Sequence, residues 1–315
     1  MNILKLEPNG FSNEAQKILE KMGRVFDYNG DSLYLDKILP DIDVIISRLG
    51  YNIDESFIKK SKNLKIIVSP TTGLDHIDTS FAKSKKIKVI SLKNKKKFLN
   101  NIYATPEHSW ALLLSLIRNI HPAATSVAKN LWNRESFKGR ELKDNNIGIL
   151  GYGRVGKNVA RYARAFKMKI YVYDPYKDYV PSYIKRMSSL EEFLSKINIL
   201  MVHIPLNDST YNFLNSKNLS HLPKGSIIVN SSRGEIINET DLLDLLTTKH
   251  LSGCALDVIQ NERDLVSRKE SRLIRYFKNN NNLLITPHIA GATYESMEKT
   301  EIFVIKELKK TLLEK

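Results

Sequence analysis

Cysteine is nearly missing from this chain. Its 315 residues hold one, Cys254, so no internal disulfide can form, which fits a reducing compartment. Long apolar runs are missing too. The longest near a predicted helix, at residues 110–117, is interrupted by Ser115 and is too short to span a bilayer. The N-terminal MNILKLEPNGFSNEAQ shows no basic-then-apolar pattern of a secretory signal. A cytoplasmic location is the expectation. No solenoid-type repeat is visible, and the only compositional bias is towards Lys and Asn. Acidic residues are in deficit, with 34 Asp+Glu against 49 Lys+Arg, a formal net charge of +15. Such a surplus can mark a nucleic-acid or membrane-surface binder. Here the densest basic run, KNKKK at residues 93–97, lacks interleaved aromatics and falls in a predicted loop. It reads better as solvated surface that attracts anionic substrates than as a nucleic-acid site. What remains, 42% apolar and 26% charged residues, is the balance of a globular protein with one large or two ordinary domains.

The most informative stretch is NIGILGYGRVGKNVARYARAFKMKIYVYDP, residues 146–175. An apolar run meets Gly151, Gly153 and Gly156, then a helical pattern, then a second apolar run that ends at Asp174. The glycines have separable jobs: a tight turn, close approach of a pyrophosphate to the backbone, and close packing of helix on strand. The helix start offers amides and a partial positive charge to the phosphates. Asp174, eighteen residues past the last glycine, can accept from ribose hydroxyls of NAD and would repel a 2′-phosphate.

The first hundred residues alternate strand-like pieces (2–6, 44–47, 65–68, 88–90) with helical patterns (12–22, 32–39, 54–60, 78–84) capped by Ser12, Asp54 and Asp78. This alternation predicts a parallel sheet covered on both faces. Residues 91–101 are polar and lysine-rich, a predicted loop. Pro106 then opens one long predicted helix, residues 107–129, that crosses between domains. After Asp174, apolar runs at 199–203, 226–230, 253–257 and 283–286 predict further buried strands, six in all for that sheet. Helices are expected at 190–196, with a capping box from Ser188 to Glu191, and at 239–248. The tail, 293–313, reads as an amphipathic helix with Met297, Val304, Ile305, Leu308 and Leu312 on one side.

Open α/β sheets bind ligands beyond the carboxyl ends of their strands. There this chain offers His203, the turn Asn230-Ser231-Ser232-Arg233, Asp257 with Glu262 beyond it, and Thr286-Pro287-His288. An Arg, a carboxylate and a His beside a dinucleotide suggest hydride transfer to a carbonyl acid. Arg233 could hold a carboxylate bidentately. His288 could exchange a proton with the carbonyl oxygen, and Glu262 beside it would favour the imidazolium. His108 and His203 read as structural or cofactor-lining, and His76, His121, His221 and His250 as surface or loop residues.

With these residues in view, the chain resembles the NAD-dependent D-2-hydroxyacid dehydrogenases, particularly the phosphoglycerate dehydrogenase-like branch. The resemblance runs through TTGLDHID (71–78), ATPEHSWALLL (104–114), GILGYGRVG (148–156), YDPY (173–176), HIPLNDST (203–210), NSSRGEIINE (230–239), ALDV (255–258) and TPHIAGAT (286–293). It implies two Rossmann-like doubly wound parallel-sheet domains with a cleft between them. One is a flavodoxin-like substrate domain, residues 1–100 completed by 288–315. The other is an NAD-binding Rossmann domain, residues 101–287. It implies the catalytic set Arg233, Glu262 and His288, and NAD contacts at Gly151, Gly153, Arg154, Val155, Gly156, Asp174, His203, Pro205, Thr210, Ser231, Ser232, Asp257, His288 and Gly291. Asp257 matches the residue that contacts the nicotinamide carboxamide. Thr71, Thr72 and Gly73 match the loop that shares the substrate carboxylate with Arg233. The implied assembly is a homodimer, with the 107–129 helix as contact element and no metal. One departure concerns phosphate: Ser69 stands where phosphoglycerate dehydrogenases often carry an Arg, leaving Arg48 and Arg134 as possible phosphate ligands. The reaction is therefore expected on a D-2-hydroxyacid or its 2-keto acid. Alternatives are a glyoxylate or hydroxypyruvate reductase of the same class, or an NAD(H)-sensing protein on the same fold.

Overall fold

Short polar side chains start most helices of the first hundred residues. In the computed structural model, which describes residues 1–314, Ser12 accepts from the Ala15 amide, Asp54 from Phe57 and Asp78 from Phe81. Each satisfies an amide that has no partner inside its own helix. Between these helices run β1 (Asn2–Lys5), β2 (Arg24–Asp27), β3 (Val44–Ile46), β4 (Ile66–Ser69) and β5 (Lys88–Ser91). They pair in parallel in the order β2-β1-β3-β4-β5. That is the flavodoxin-like order. Every residue of β3 and β4 is buried, as expected of strands covered on both faces. β2 has no counterpart among the predicted strands. It lies at the sheet edge, so RVFD needs no fully apolar run.

Alternate side chains of these strands feed two cores. Ile3, Val44, Ile46, Ile66 and Val68 point to one, which also holds Val304, Ile305 and Leu308 of the C-terminal helix Tyr294–Leu313. Leu4, Ile45 and Ile67 point to the other, with Ile53, Ile58 and Ile77. The tail therefore belongs to this first unit, Met1–Ile102 with Ala292–Lys315. The helix also brings in a buried acid. Glu301 accepts from the Ser12 amide at 2.7 Å and pairs with Arg48 at 2.6 Å, its side chain only 1% exposed. Burial raises the Glu301 carboxyl above its usual range, against the opposing pull of the Ser12 amide and Arg48.

The second unit is Tyr103–Gly291. Its strands are β6 (Asn146–Leu150), β7 (Lys169–Tyr173), β8 (Ile184–Arg186), β9 (Ile199–Val202), β10 (Ser226–Asn230), β11 (Leu251–Leu256) and β12 (Leu283–Ile285). All pairings are parallel, in the order β12-β11-β10-β9-β6-β7-β8. The order reverses between β6 and β9, which makes that gap the switch point of a Rossmann sheet. The sheet has seven strands rather than the predicted six, because the short edge strand β8 (Ile-Lys-Arg) carries too little apolar sequence to be noticed.

Three local expectations are corrected. The helix predicted over 107–129 is two helices, Ala104–Ile117 and Ile120–Ala128, separated by Asn119 in the left-handed region at φ 53°. Asn tolerates that conformation better than most side chains. The first of these helices does not cross between units. It packs within the second, with Trp110, Leu112, Leu113 and Leu116 in one of that unit's cores. The cap of the helix at Leu190–Ser195 is Ser189 and not Ser188. The 91–101 stretch, expected to be a loop, contains a short helix, Lys96–Leu99. Beyond β11, the helices Leu265–Glu270 and Arg272–Asn279 fill residues 265–279. Among the described residues, no helix is long and apolar enough to cross a membrane.

Glu301→Ala would strand the Arg48 guanidinium and the Ser12 amide. Removing one partner of a buried pair typically costs about 3–5 kcal/mol. Urea unfolding should show a loss of that order; a loss below about 1 kcal/mol would mean that the pair does not anchor the helix.

Candidate active site

β6 runs straight into the glycine turn. Gly151 has φ +91°, and a Cβ there would lie 2.7 Å from the His203 carbonyl oxygen. A Cβ at Gly156 would come within 2.2 Å of the Gly151 carbonyl oxygen, so this position brings helix and turn into direct contact. A Cβ at Gly153 would meet no protein atom within 4 Å, leaving that flank accessible to a phosphate. Gly153 opens the helix Arg154–Ala165, and no side chain caps that helix start. Asp174 is pinned to the same turn: its carboxylate accepts from the Tyr152 amide at 2.9 Å and from the Tyr176 amide at 2.9 Å. The three glycines, the helix start and the fixed acid fit a dinucleotide.

The other polar residues follow the ends of β9 to β12. His203 stands directly after β9. Burial pushes its imidazole down to about 3, so it stays neutral, and its Nε2 has no hydrogen-bond partner among the described residues. Thr210 closes its own loop, donating to the Pro205 carbonyl oxygen at 2.7 Å and accepting from the Asn207 amide at 2.8 Å.

After β10, the fully buried Asn230 wraps the turn that carries Arg233. Its oxygen accepts from the Ser232 amide and hydroxyl, at 2.9 and 2.6 Å, and its amide nitrogen donates to the Arg233 carbonyl at 2.8 Å. Ser231 is hydrogen-bonded to Ser109 at 2.6 Å, which ties the turn to the helix Ala104–Ile117.

Asp257, one residue past β11 and 1% exposed, gathers four donors or partners. Its carboxylate accepts from Thr286 Oγ1 at 2.6 Å, the Ile289 amide at 2.9 Å and the Ala290 amide at 2.8 Å, and lies 3.2 Å from His108 Nε2. Burial alone would raise this carboxyl. The bonds from His108, Thr286, Ala290 and Ile289 outweigh it and hold Asp257 below the usual carboxylate range. The residue in the middle of this cradle is His288, left-handed at φ 54° and bonded through its amide to the Asp257 carbonyl at 2.8 Å. A non-glycine residue in that region persists only where its surroundings impose it. His288 Nδ1 then meets Glu262 Oε1 in a short hydrogen bond, both side chains under one-fifth exposed.

Of the predicted site residues, the second unit thus brings Glu262 and His288 into contact and sets Arg233 on a turn of its own. His288 was expected to begin the C-terminal segment of the first unit; it folds with the second, before the division at Gly291. In the first unit, Thr71 Oγ1 donates to the Gly73 carbonyl at 2.8 Å, and Ser69 is hydrogen-bonded to Thr71 at 2.8 Å and His76 at 3.3 Å. His76 is therefore no surface residue; it is 2% exposed. Arg48 spends its guanidinium on Glu301 and on the Asn9 carbonyl. Sequence reasoning placed Asn230 in this turn but gave it no role, and it missed the acceptor role of Asp257. The available signal was a polar side chain directly behind a run of buried apolar ones.

A dinucleotide turn, an arginine turn and a histidine–carboxylate pair at one sheet's carboxyl edge define a nucleotide-dependent oxidoreductase. The particular family follows from relatives. The family described as "D-isomer specific 2-hydroxyacid dehydrogenase, NAD binding domain" matches residues 110–290. A hydroxypyruvate reductase of Thermotoga maritima is 31% identical over 88% of this chain and 87% of its own length. A D-3-phosphoglycerate dehydrogenase of Methanocaldococcus jannaschii is 31% identical over 99% of this chain, which spans only 57% of that protein. Among solved structures, a formate dehydrogenase of Staphylococcus aureus with NAD superposes with TM-score 0.85 at 27% identity, covering 99% of this chain and 96% of that one. A D-lactate dehydrogenase of Aquifex aeolicus with NAD and lactic acid gives 0.84 at 25%, covering 99% and 95%. The chain belongs to the D-isomer specific 2-hydroxyacid dehydrogenase family, NAD-dependent oxidoreductases that act on the CH–OH group of 2-hydroxyacids.

Asp257→Asn should loosen the His288 turn and destabilise the fold. Because the folded carboxyl lies below its ordinary value, its contribution is full above about pH 4 and is lost as pH falls through the lower folded value. The stability gap between wild type and variant, read by urea unfolding, should be complete at neutral pH and narrow in acid; a gap independent of pH would contradict the assignment. Asp174→Ala should weaken NAD binding about tenfold (~1.4 kcal/mol) and narrow the gap to NADP. An unchanged cofactor preference in steady-state kinetics would remove its ribose role.

Proposed function

We propose that this protein reduces a small, unphosphorylated 2-keto acid to the D-2-hydroxyacid, reversibly, with hydroxypyruvate or glyoxylate as the leading substrates. The observation that carries the chemistry is the His288–Glu262 pair on a backbone held left-handed. When bound, the nicotinamide supplies or accepts the hydride. His288 handles the proton: with Nδ1 turned to Glu262, Nε2 is the nitrogen left to give it to the carbonyl oxygen, or to take it back in oxidation. Glu262 orients the ring and balances the imidazolium. Arg233 holds the substrate carboxylate bidentately. His203, Pro205, Thr210, Ser231, Ser232 and Gly291 line the cofactor, with Arg154 and Val155 opening its phosphate-binding helix.

The substrate choice rests on Arg48 and Ser69; Arg134, the other arginine considered for phosphate, is exposed to solvent. Neither favours a phosphate: the guanidinium is already paired with a buried acid, and Ser69 is fully buried among Thr71 and His76. The similarity to a hydroxypyruvate reductase over most of both chains supports the same reading. We also propose a cytoplasmic homodimer. Its contact is the exposed apolar group Ile120, Val127, Leu131 and Trp132, each at least half exposed, on and after the helix Ile120–Ala128. That helix buries none of its own residues in this chain.

The test follows NADH absorbance with hydroxypyruvate, glyoxylate and phosphohydroxypyruvate. Turnover of the unphosphorylated acids is expected; turnover of the phosphorylated acid alone would overturn the substrate assignment, and NADH binding with no turnover would overturn the activity. His288→Ala should lower kcat by about 10²–10⁴ while leaving NADH affinity within about twofold, since the proton moves only in the transition state.

A further inference from the structure

Arg233 and Glu262 come from different loops, and Glu262 lies six residues beyond β11, farther from its strand than Arg233 or His288 from theirs. Its carboxylate accepts from the Ile259 amide at a long 3.4 Å. What fixes the loop comes from outside. Glu239, the first residue of the helix Glu239–Thr247, accepts from the Gln260 amide at 2.6 Å. The Gln260 side chain donates to the Ile237 carbonyl at 2.8 Å and to Asn212 Oδ1 at 3.1 Å. On its other side the same peptide group is packed against Gly234. A Cβ at Gly234 would lie 2.1 Å from the Ile259 carbonyl carbon and 2.5 Å from the Gln260 nitrogen. Gly234 directly follows Arg233. One peptide unit, Ile259–Gln260, is therefore gripped between the residue after the substrate-binding Arg and a carboxylate.

We propose that Glu239 is a positioning residue for the reaction: by holding the Gln260 amide against Gly234, it sets the placement of Glu262, and so of the His288 ring, relative to Arg233. The proposal rests on the catalytic roles given above. Among the described residues no bond joins Glu239 to Glu262 or His288, so it acts through the loop. Retaining a carboxylate at this place has a cost. Burial is the largest influence on Glu239, the Glu235 charge adds to it and the Gln260 amide opposes both, with the net result about 6. An amide oxygen could accept the same bond without that cost. The cleft beside it, about 240 Å³ and lined in part by Thr240, Arg272 and Gln260, admits water, so a truncated side chain leaves the Gln260 amide solvated and the chain able to fold.

The experiment compares Glu239→Ala with Glu239→Gln. In Glu239→Ala, kcat for the keto acid should fall about tenfold or more while KM for NADH stays within about twofold. Amide hydrogen exchange across residues 257–264, read by mass spectrometry, should quicken. Glu239→Gln keeps the acceptor and should restore both to near wild type. Unchanged exchange and kcat in Glu239→Ala would overturn the proposal, as would a Glu239→Gln variant as impaired as the alanine. Equal losses in NADH affinity and kcat would overturn it too, because they mark a general structural effect. Hydrogen exchange reads the clamp without substrate. Wild-type protein that turns over no keto acid, yet shows the exchange difference, would overturn the proposed activity and leave the clamp standing.

Discussion

A buried carboxylate that gathers donors is the constraint on which the rest of the site depends. Asp257 emerges from β11 into a place where nearly every lone pair meets a hydrogen: Thr286, the amides of Ile289 and Ala290, and His108. Hydrogen bonds to charged groups contribute about 1.5–3 kcal/mol each. Together they can offset both the desolvation of the acid and the strain of a histidine in left-handed backbone, about 1–3 kcal/mol. The strain matters because it decides where the ring goes. With an ordinary backbone at residue 288 the chain would leave β12 in a different direction, and the imidazole would not meet Glu262. The His288 ring is thus placed by an acid other than the one it is hydrogen-bonded to.

Three carboxylates shielded from water, Asp257 and Glu301 buried and Glu239 half-buried, separate by how well they are served. Asp257 is held below its ordinary range because its bonds exceed the effect of burial. Glu301, with one amide and one arginine, and Glu239, with one amide, are both raised because burial exceeds what they receive. The direction follows the balance of desolvation against donors rather than depth alone. It also divides their work. The fully served acid can stay ionised at the centre of the site, whereas the two underserved ones sit at junctions, where Glu301 ties the C-terminal helix to the first sheet and Glu239 ties a helix start to a loop.

Much of the fold was legible because its elements obey simple periods. Buried parallel strands such as β4 and β10 read as unbroken apolar runs, and the glycine turn carries its own spacing. Ser12, Asp54 and Asp78 announced helix starts that the structure confirms. The illegible parts share a cause: their residues answer to distant partners. Edge strands β2 and β8 need only one apolar face. Asn119 breaks a continuous helical pattern by a backbone choice that Asn merely permits. Glu301 sits within an amphipathic helix at a position that polarity alone assigns to solvent; only Ser12 and Arg48, far away in sequence, make it a core residue. In the candidate site, Arg233, Glu262 and His288 stood out as polar residues behind apolar runs, but Asn230 and Asp257 could not be given their roles. The number of bonds each accepts depends on turns that have no local signature.

Distance from the strand explains why the site needs two kinds of support. Arg233 and His288 each lie three residues past a strand, and Asp257 lies one past. Over so short a reach the sheet hydrogen bonds and a single side chain, Asn230 or Asp257, suffice to fix the backbone. Glu262 lies twice as far out, and with each added residue the number of available backbone conformations grows. A carboxylate so placed could drift by an ångström or more, enough to lose alignment with a histidine that is itself rigid. The peptide gripped by Gly234 and Glu239 shortens that free reach to two residues, Asn261 and Glu262 itself. Arg233 and the carboxylate that meets His288 then share one backbone contact, so a displacement of either loop is felt by both.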